Sequence, residues 1–173
     1  MQEKNKKDVI LLSLDTSSTK TGYAIFINGI FQKSGELVSK GVKEARRNDM
    51  ILRLEKLIKS VHPDIIVIET PSKPQNASTQ RILTIIYGAC LVFSLQNEIE
   101  FVERRPTSSR KNAVLYEENE TVPQHRKEIK SWVIDFAKRK TEKDMTDNEA
   151  DAYVQGLGYV NWWKEQERNG KIS

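Results

Sequence analysis

The feature that most constrains this chain is an apolar run that ends in a single carboxylate. Residues 9–14 read VILLSL, and Asp15 follows directly. A nearly continuous apolar run of this kind is typical of a strand that is covered on both faces. A carboxylate at the end of a buried strand costs free energy unless a neighbouring group compensates its charge. The fold must therefore place a compensating group close to Asp15.

Three antiparallel strands are predicted at the start of the chain. Small hydroxyl residues follow Asp15, Gly22 is expected to turn the chain, and residues 23–26 are predicted to form a returning strand. Asn28 and Gly29 are typical of a tight hairpin turn. Residues 29–38 are then predicted to form the third strand.

Helices and strands alternate in the rest of the sequence. Apolar residues three and four positions apart predict helices over residues 44–61, 77–97, 123–140 and 146–163. Short apolar strands are predicted over residues 64–69 and 99–102. Hairpin-linked strands followed by strands that are reached through helices predict an α/β fold, with a mixed five-stranded sheet and helices on both faces.

Length and composition predict one globular domain over residues 1–173, with disordered or frayed ends at about 1–7 and 165–173. We expect no signal peptide and no membrane span, because no run reaches the roughly 18 apolar residues of a span. The single cysteine, Cys90, cannot form an internal disulfide and is interpreted as a core residue. These features fit a protein of the reducing cytoplasm.

Positive charge is concentrated in one part of the chain. The formal net charge is +4, and residues 104–143 alone carry eleven basic and six acidic side chains. Such a segment favours an anionic partner, nucleic acid first. A solvated helix face with no partner explains the same composition equally well.

Several acidic residues are predicted to converge at one end of the sheet. Glu69 ends a second short apolar strand, as Asp15 ends the first. If these strands are parallel neighbours, both carboxylates emerge at the same edge. Asp147 lies four residues before Asp151, and Asn148 lies three residues before it, so each pair shares a helical face.

Part of this pattern has a structural explanation. Thr146 and Glu149 fit a capping box, and Asp147 in the first helical turn would favour the helix dipole. Capping does not explain Asp151, which lies one turn further along between two alanines. For Asp15, Glu69 and Asp151 taken together, a shared functional site is therefore favoured over a purely structural role.

Converging carboxylates repel one another unless a cation neutralises them. Mg²⁺ prefers carboxylate oxygen ligands, and Mn²⁺ can take its place. Two such ions about 4 Å apart can support phosphodiester cleavage, and the basic segment would hold the phosphate backbone beside them. Neither a zinc-type Cys/His spacing nor a Walker loop is found in the sequence.

Taken together, these segments resemble RuvC-type Holliday junction resolvases of the RNase H-like superfamily, phage-encoded members in particular. The resemblance covers about residues 9–160 and depends on the order and spacing of four motifs. These motifs are LDTSSTKTGYA at residues 14–24, IVIE at 66–69, NAS at 76–78 with Gly88 further along, and NEADA at 148–152.

The resemblance implies an RNase H-like fold, a homodimer packed through helix 77–97, and Mg²⁺-dependent symmetric nicking of four-way or branched DNA in the host cytoplasm. It implies that Asp15, Glu69 and Asp151 bind the metal, two ions per active site. A further acid usually lies three residues before the last ligand; that position is Asn148 here, with Asp147 next to it. Either residue can be the fourth member of the site, and we favour Asp147 slightly.

The resemblance also implies roles for basic residues after the fifth strand. Arg110–Lys111 and Arg126–Lys127 match lysines that contact phosphates or stabilise the transition state in the family. We predict that Lys127 joins Asp15, Glu69, Asp147 and Asp151 as a catalytic residue. The predicted DNA-binding set is Lys73, Arg104, Arg105, Arg110, Lys111, Arg126, Lys127 and Lys130.

Two other functions fit parts of the sequence. A branched-DNA-binding protein that has lost cleavage would explain Asn148 at a position that is acidic in the family. The segment DTSSTK at residues 15–20 also resembles the first phosphate loop of actin-like kinases and ATPases. Those proteins need a second phosphate loop in a duplicated domain, for which 173 residues leave no room.

Overall fold

A mixed five-stranded sheet forms the centre of the protein. The computed structural model describes residues 8–70 and 76–172. The strands are β1 (Ile10–Asp15), β2 (Lys20–Ile27), β3 (Ile30–Val38), β4 (Ile65–Glu69) and β5 (Glu100–Arg104). Their order in the sheet is β3-β2-β1-β4-β5; β1 to β3 are antiparallel, and β4 is parallel to both β1 and β5. The predicted fold class is confirmed.

Helices cover both faces of this sheet. They are α1 (Lys43–Val61), α2 (Ala77–Gln96), α3 (Pro106–Ala113), α4 (Arg126–Thr141) and α5 (Asp147–Arg168). Side chains alternate across each strand, so Leu12 and Leu14 of β1 pack with α1 and α2, whereas Leu11 packs with α3, α4 and α5. Both faces of the central strands are therefore buried, which is why they are nearly continuous apolar runs.

The last helix is longer than predicted, because it ends at Arg168 and not near residue 163. Polar contacts hold its final turn. Glu165 pairs with Arg168 at 2.8 Å and accepts a hydrogen bond from the hydroxyl group of Tyr116 at 3.2 Å. Periodicity alone did not reveal this extension, since the residues after Trp163 are mostly polar.

The prediction that Gly22 turns the chain is wrong. Gly22 lies within β2, where it pairs with Asp15 on one side and with Glu36 on the other. The turn comes earlier, and its backbone is held by Ser17, whose Oγ accepts hydrogen bonds from the amides of Thr19 and Lys20. The predicted Asn28–Gly29 hairpin turn is present, with φ angles of 53° and 75°.

Helix α2 keeps most of its apolar surface outside the core of this chain. Only Ile86, Cys90 and Ser94 are buried among its 20 residues, whereas Val92 and Leu95 are 48% and 71% exposed. By length and composition alone, α2 could also cross a membrane. The sequence predicts no membrane span, because polar residues interrupt every apolar run. Helix α2 meets the length and composition of a span only on average over its residues.

Candidate active site

Two strand ends place Asp15 and Glu69 side by side. Strands β1 and β4 are parallel, and Leu14 pairs with Ile68, so the next residue of each strand emerges at the same edge. Asp151 of α5 joins them, and all three side chains line one small pocket. The structure thus brings together the three acids that the sequence placed in a cation site.

Helix α5 reaches this edge because β2 lacks a side chain at Gly22. A Cβ atom there would overlap the backbone carbonyl of Asn148 in the first turn of α5. One turn beyond Asp151, the Nε2 of Gln155 donates to Ser13 Oγ, Leu14 O and Val67 O at 3.0–3.1 Å. Gln155 fixes α5 across β1 and β4, and its spacing of four residues from Asp151 places both side chains on the same face of the helix.

Helix α3 forms the remaining wall of the pocket with Pro106, Ser109 and Arg110. It lies against α5 at Gly158, where a Cβ atom would overlap the backbone of Ser109. The side chain of Asn161 donates hydrogen bonds to the carbonyls of Asn112 and Ala113 at 3.1 and 3.0 Å. These contacts fix the position from which Arg110 extends into the pocket.

The carboxylates in this pocket are under-compensated. Burial, together with the charges of Asp151, Glu69 and Asp147, raises the pKa of Asp15 to about 8. Burial raises the pKa of Glu69 to about 7, although Arg110 opposes the shift. Burial also raises the pKa of Asp151. Arg110 lies near Asp151, with 3.7 Å between Nη2 and Oδ1, but one guanidinium does not neutralise three acids.

The pocket has the donor chemistry of a site for hard cations, because its three acids supply oxygen ligands. Ser109 lines the same pocket, and its buried hydroxyl has no hydrogen-bond partner within residues 8–70 and 76–172, so a water or an oxygen of a bound ligand is the partner it lacks. Within residues 8–70 and 76–172, no three acidic, histidine or cysteine side chains already converge closely enough to hold an ion. To bind one ion together, the carboxylates of Asp15, Glu69 and Asp151 would therefore have to move closer to one another.

Asp147 and Asn148, the two candidates for the fourth residue of the cation site, have different surroundings in the structure. The side chain of Asn148 donates to Glu36 Oε1 at 2.7 Å and is thereby held on β3. Asp147 forms a 2.6 Å ion pair with Lys130 of α4, and this hydrogen bond lowers the pKa of Asp147. Asp147 still acts electrostatically on Asp15 and Asp151, whereas Asn148 is uncharged and its Nδ2 is bound to Glu36.

Lys130 is the lysine that α4 brings to the acids. It contacts Asp147 and lies close enough to Asp151 to affect its pKa. Lys127 is exposed in the first turn of α4, and no ion pair joins it to these acids in the described part of the chain. The catalytic role assigned to Lys127 from the sequence stays a prediction.

Much of the basic segment is already neutralised within the protein. Ion pairs join Arg110, Lys130, Lys138, Arg139 and Lys140 to acidic residues. The guanidinium of Arg104 stacks on the ring of Trp162, 4.0 Å from its centroid, with Nε and Nη2 buried, and the phosphate contact predicted for Arg104 stays a prediction. Exposed members of the predicted DNA-binding set are Arg105, Lys111, Arg126, Lys127 and Lys130, of which Lys130 is paired with Asp147, and Lys73 lies outside the described residues.

Glu36 is a site residue that the sequence did not reveal. It accepts hydrogen bonds from Asn148 Nδ2 and from Thr146 Oγ1, at 2.7 and 2.8 Å, and so ties the start of α5 to β3.

We expect Glu36→Ala to lower the free energy of unfolding by about 1–2 kcal/mol, because two donors lose their acceptor. Denaturant unfolding followed by circular dichroism would measure the change.

The matched control is Glu36→Gln, which keeps an acceptor oxygen at the same distance from the backbone. We expect it to recover most of the stability lost in Glu36→Ala. Equal losses in the two variants would mean that the negative charge of Glu36, and not its acceptor oxygen, stabilises the first turn of α5.

Sequence comparisons yield no relative: no protein-family model matches the chain, and no curated protein matches it. Solved structures do match its fold. Thermus thermophilus RuvC in complex with a Holliday junction substrate aligns with a TM-score of 0.67 at 12% identity, covering 94% of this chain and 97% of that one. The structure of T. thermophilus RuvC aligns equally well, with 98% of that chain covered.

The yeast mitochondrial Holliday junction resolvase has a TM-score of 0.65 at 11% identity, covering 91% of this chain and 80% of that one. This protein therefore has the fold of RuvC-type Holliday junction resolvases over nearly its whole length, in agreement with the resemblance seen in the sequence. At identities of 11–12%, the likeness establishes the fold and leaves the activity to be argued from the site.

Proposed function

We propose that this protein is a Mg²⁺-dependent, structure-selective endodeoxyribonuclease that resolves Holliday junctions, and other branched DNA, by paired symmetric nicks. The observation that supports it most directly is the pocket in which Asp15, Glu69 and Asp151 meet. Burial raises the pKa of all three acids, and the negative charges of neighbouring acids add to the shift, so the fold keeps these carboxyl groups together at a cost. Functional sites are enriched in such arrangements.

Asp15, Glu69 and Asp151 would hold the metal, and Mn²⁺ would be able to replace Mg²⁺. Two bound divalent ions would supply Lewis-acid activation of a water and charge neutralisation at the leaving oxygen. The hydroxyl of Ser109 would donate a hydrogen bond inside the pocket. Lys130 would keep Asp147 ionised, so that its charge adds to the attraction for cations.

Branched DNA as the substrate is proposed from the fold and the charge. The matched RuvC structure contains a Holliday junction substrate. Exposed basic residues lie on the elements that follow β5, namely Arg105, Lys111 of α3, and Arg126 and Lys127 of α4. Phosphate contacts of this kind position DNA without reading its sequence.

Paired cleavage requires two active sites, and we propose that α2 joins two copies of the chain. Its outward face carries Val92 and Leu95, and contiguous apolar surface of this kind usually marks an interface. A two-fold dimer would place the same face of α2 on both sides of the contact.

We expect Leu95→Glu to convert the dimer to a monomer, because each copy would bring an unpaired charge into the interface. Sedimentation velocity or light scattering after gel filtration would measure the mass. The matched control is Ile30→Glu, since Ile30 is 67% exposed but lies at the β2–β3 turn, away from α2. A monomeric wild-type protein, or a dimeric Leu95→Glu protein, would contradict the proposed interface.

A cleavage assay on synthetic four-way junctions, forks, flaps and linear duplexes would test the activity, with cut positions mapped to the nucleotide. We expect symmetric pairs of nicks in four-way junctions with Mg²⁺ or Mn²⁺, and little cutting of linear duplex. A second candidate function is branched-DNA binding without cleavage; Asn148 favours it, because this uncharged side chain, whose Nδ2 donates to Glu36, adds no negative charge to the acid pocket. Tight junction binding with no nicks in either ion would support that alternative.

A further inference from the structure

Arg110 occupies an unusual position for a DNA-binding arginine, because it extends into the acid pocket. Its side chain is 21% exposed, and its Nη2 lies 3.7 Å from Asp151 Oδ1. It lines the pocket together with Asp15 and Glu69. Its charge acts on all three acids and favours their ionised forms.

The backbone that carries Arg110 cannot easily withdraw. Helix α3 contacts α5 through the backbone of Ser109 at Gly158, and Asn161 bonds to two carbonyls at the end of α3. Side-chain rotation is therefore the available route by which the guanidinium can leave the acids. Arginine stays protonated at all physiological pH values, so a divalent ion cannot be accommodated by deprotonation of Arg110.

We propose that Arg110 is a built-in counter-ion that competes with divalent cations for Asp15, Glu69 and Asp151. The inference rests on the proposed function, since it assumes that these acids bind metal. Without a divalent ion, the guanidinium compensates part of their charge. A divalent ion that enters must displace it or bind against its repulsion, and the apparent metal affinity is set below what the acids alone would give.

This competition distinguishes Arg110 from a residue that only contacts phosphate. Removing a phosphate contact leaves metal affinity unchanged when no DNA is present. Removing a purely structural residue loosens the pocket and weakens metal binding. Removing a competing cation raises metal affinity, because the acids then attract the ion without opposition.

The test is calorimetric titration of Mn²⁺ and of Mg²⁺ into the full-length protein without DNA. We expect Arg110→Met, which keeps the length but not the charge, to bind either ion about tenfold more tightly than the wild type. Arg110→Lys, which keeps the charge, should stay within about twofold to threefold of the wild type. The matched control is Lys111→Met, which removes the same charge from the exposed neighbouring residue and should leave the affinity unchanged.

Thermal unfolding of the same variants gives a second measurement. Arg110→Met should melt below the wild type in EDTA, and its melting temperature should rise more on addition of Mn²⁺. Unchanged or weaker metal binding by Arg110→Met would overturn the proposal, as would equal tightening in Lys111→Met. Failure of the wild type and of Arg110→Met to bind either ion would also overturn it.

The metal-binding measurements and the nuclease assay test different statements, so one can fail while the other succeeds. Tighter binding by Arg110→Met together with no cleavage of any branched DNA would support the counter-ion and contradict the proposed activity. Normal cleavage by the wild type, together with an unchanged metal affinity of Arg110→Met, would support the proposed nuclease activity and contradict the counter-ion role of Arg110.

Discussion

Asp15→Asn is expected to abolish cleavage of four-way junctions while junction binding persists. Asp15 lies at the centre of the acid pocket, where the charges of Asp151, Glu69 and Asp147 all act on it. Asparagine has nearly the same shape but removes the negative charge that would hold a divalent ion. We expect the single-turnover cleavage rate to fall on the order of 10³-fold or more, as for loss of an essential catalytic group.

Binding and stability supply the controls for this variant. Its affinity for the junction, measured by electrophoretic mobility shift in EDTA, should stay within about threefold of the wild type, because the phosphate contacts are unchanged. Its melting temperature in EDTA at pH 7.5 should be several degrees higher, since folding of the wild type must protonate Asp15 at this pH, whereas asparagine is neutral in both states. Normal cutting by Asp15→Asn would show that the active site lies elsewhere.

The pH dependence of stability should change with the same substitution. The pKa of Asp15 is raised from 3.8 to about 8 in the folded protein. Between these values, the folded state keeps a proton that the unfolded chain has lost, so stability in the absence of metal falls as pH rises through this window. Glu69 contributes in the same direction between 4.5 and about 7. Asp15→Asn should flatten this decline, which melting temperatures measured from pH 4 to pH 9 in EDTA would reveal.

The sequence was sufficient to predict the three central acids because regular geometry determines their placement. Asp15 and Glu69 follow apolar runs, and the carboxyl ends of neighbouring parallel strands necessarily share one edge. Asp151 follows a capping box at a spacing that identifies its helical face. Periodicity gave the element types, and the parallel pairing of β1 and β4, which had to be assumed from the sequence alone, is confirmed by the sheet order.

The partners of these acids depend on how helices are rotated on the sheet, which periodicity does not specify. Lys127 and Lys130 are three residues apart and both are exposed, so only the packing of α4 decides that Lys130 reaches Asp147. Arg110 was predicted to bind DNA, and nothing in its local sequence indicated that the close contact between α3 and α5 directs it into the acid pocket. The Glu36–Asn148 bond joins residues 112 positions apart. No local pattern encodes it.

The contact between Gly22 and the backbone of α5 is also a long-range feature that no local sequence pattern reveals. Substitution of Gly22 is expected to have the largest effect on folding. In Gly22→Ala, the new Cβ atom would overlap the Asn148 carbonyl, and backbone atoms cannot move aside as a side chain can. Since α5 must shift outward, we expect a loss of about 3 kcal/mol in the free energy of unfolding. A displacement of Asp151 by even 1 Å would lower the cleavage rate by about 10²-fold. Denaturant unfolding and the four-way junction assay would measure the two losses.

Gly35→Ala is the matched control, because it makes the same change on the adjacent strand β3. The atoms nearest to a Cβ atom at Gly35 are Oη, Cζ and Cε1 of Tyr23, at 2.5–2.9 Å, and they belong to the far end of a side chain, which can shift more readily than backbone. We therefore expect a loss below about 1 kcal/mol and normal cleavage for Gly35→Ala. Equal effects of the two substitutions would mean that any added methyl group disturbs this sheet. A large loss confined to Gly22→Ala would show that the approach of α5 to β2 is what brings Asp151 to the ends of β1 and β4.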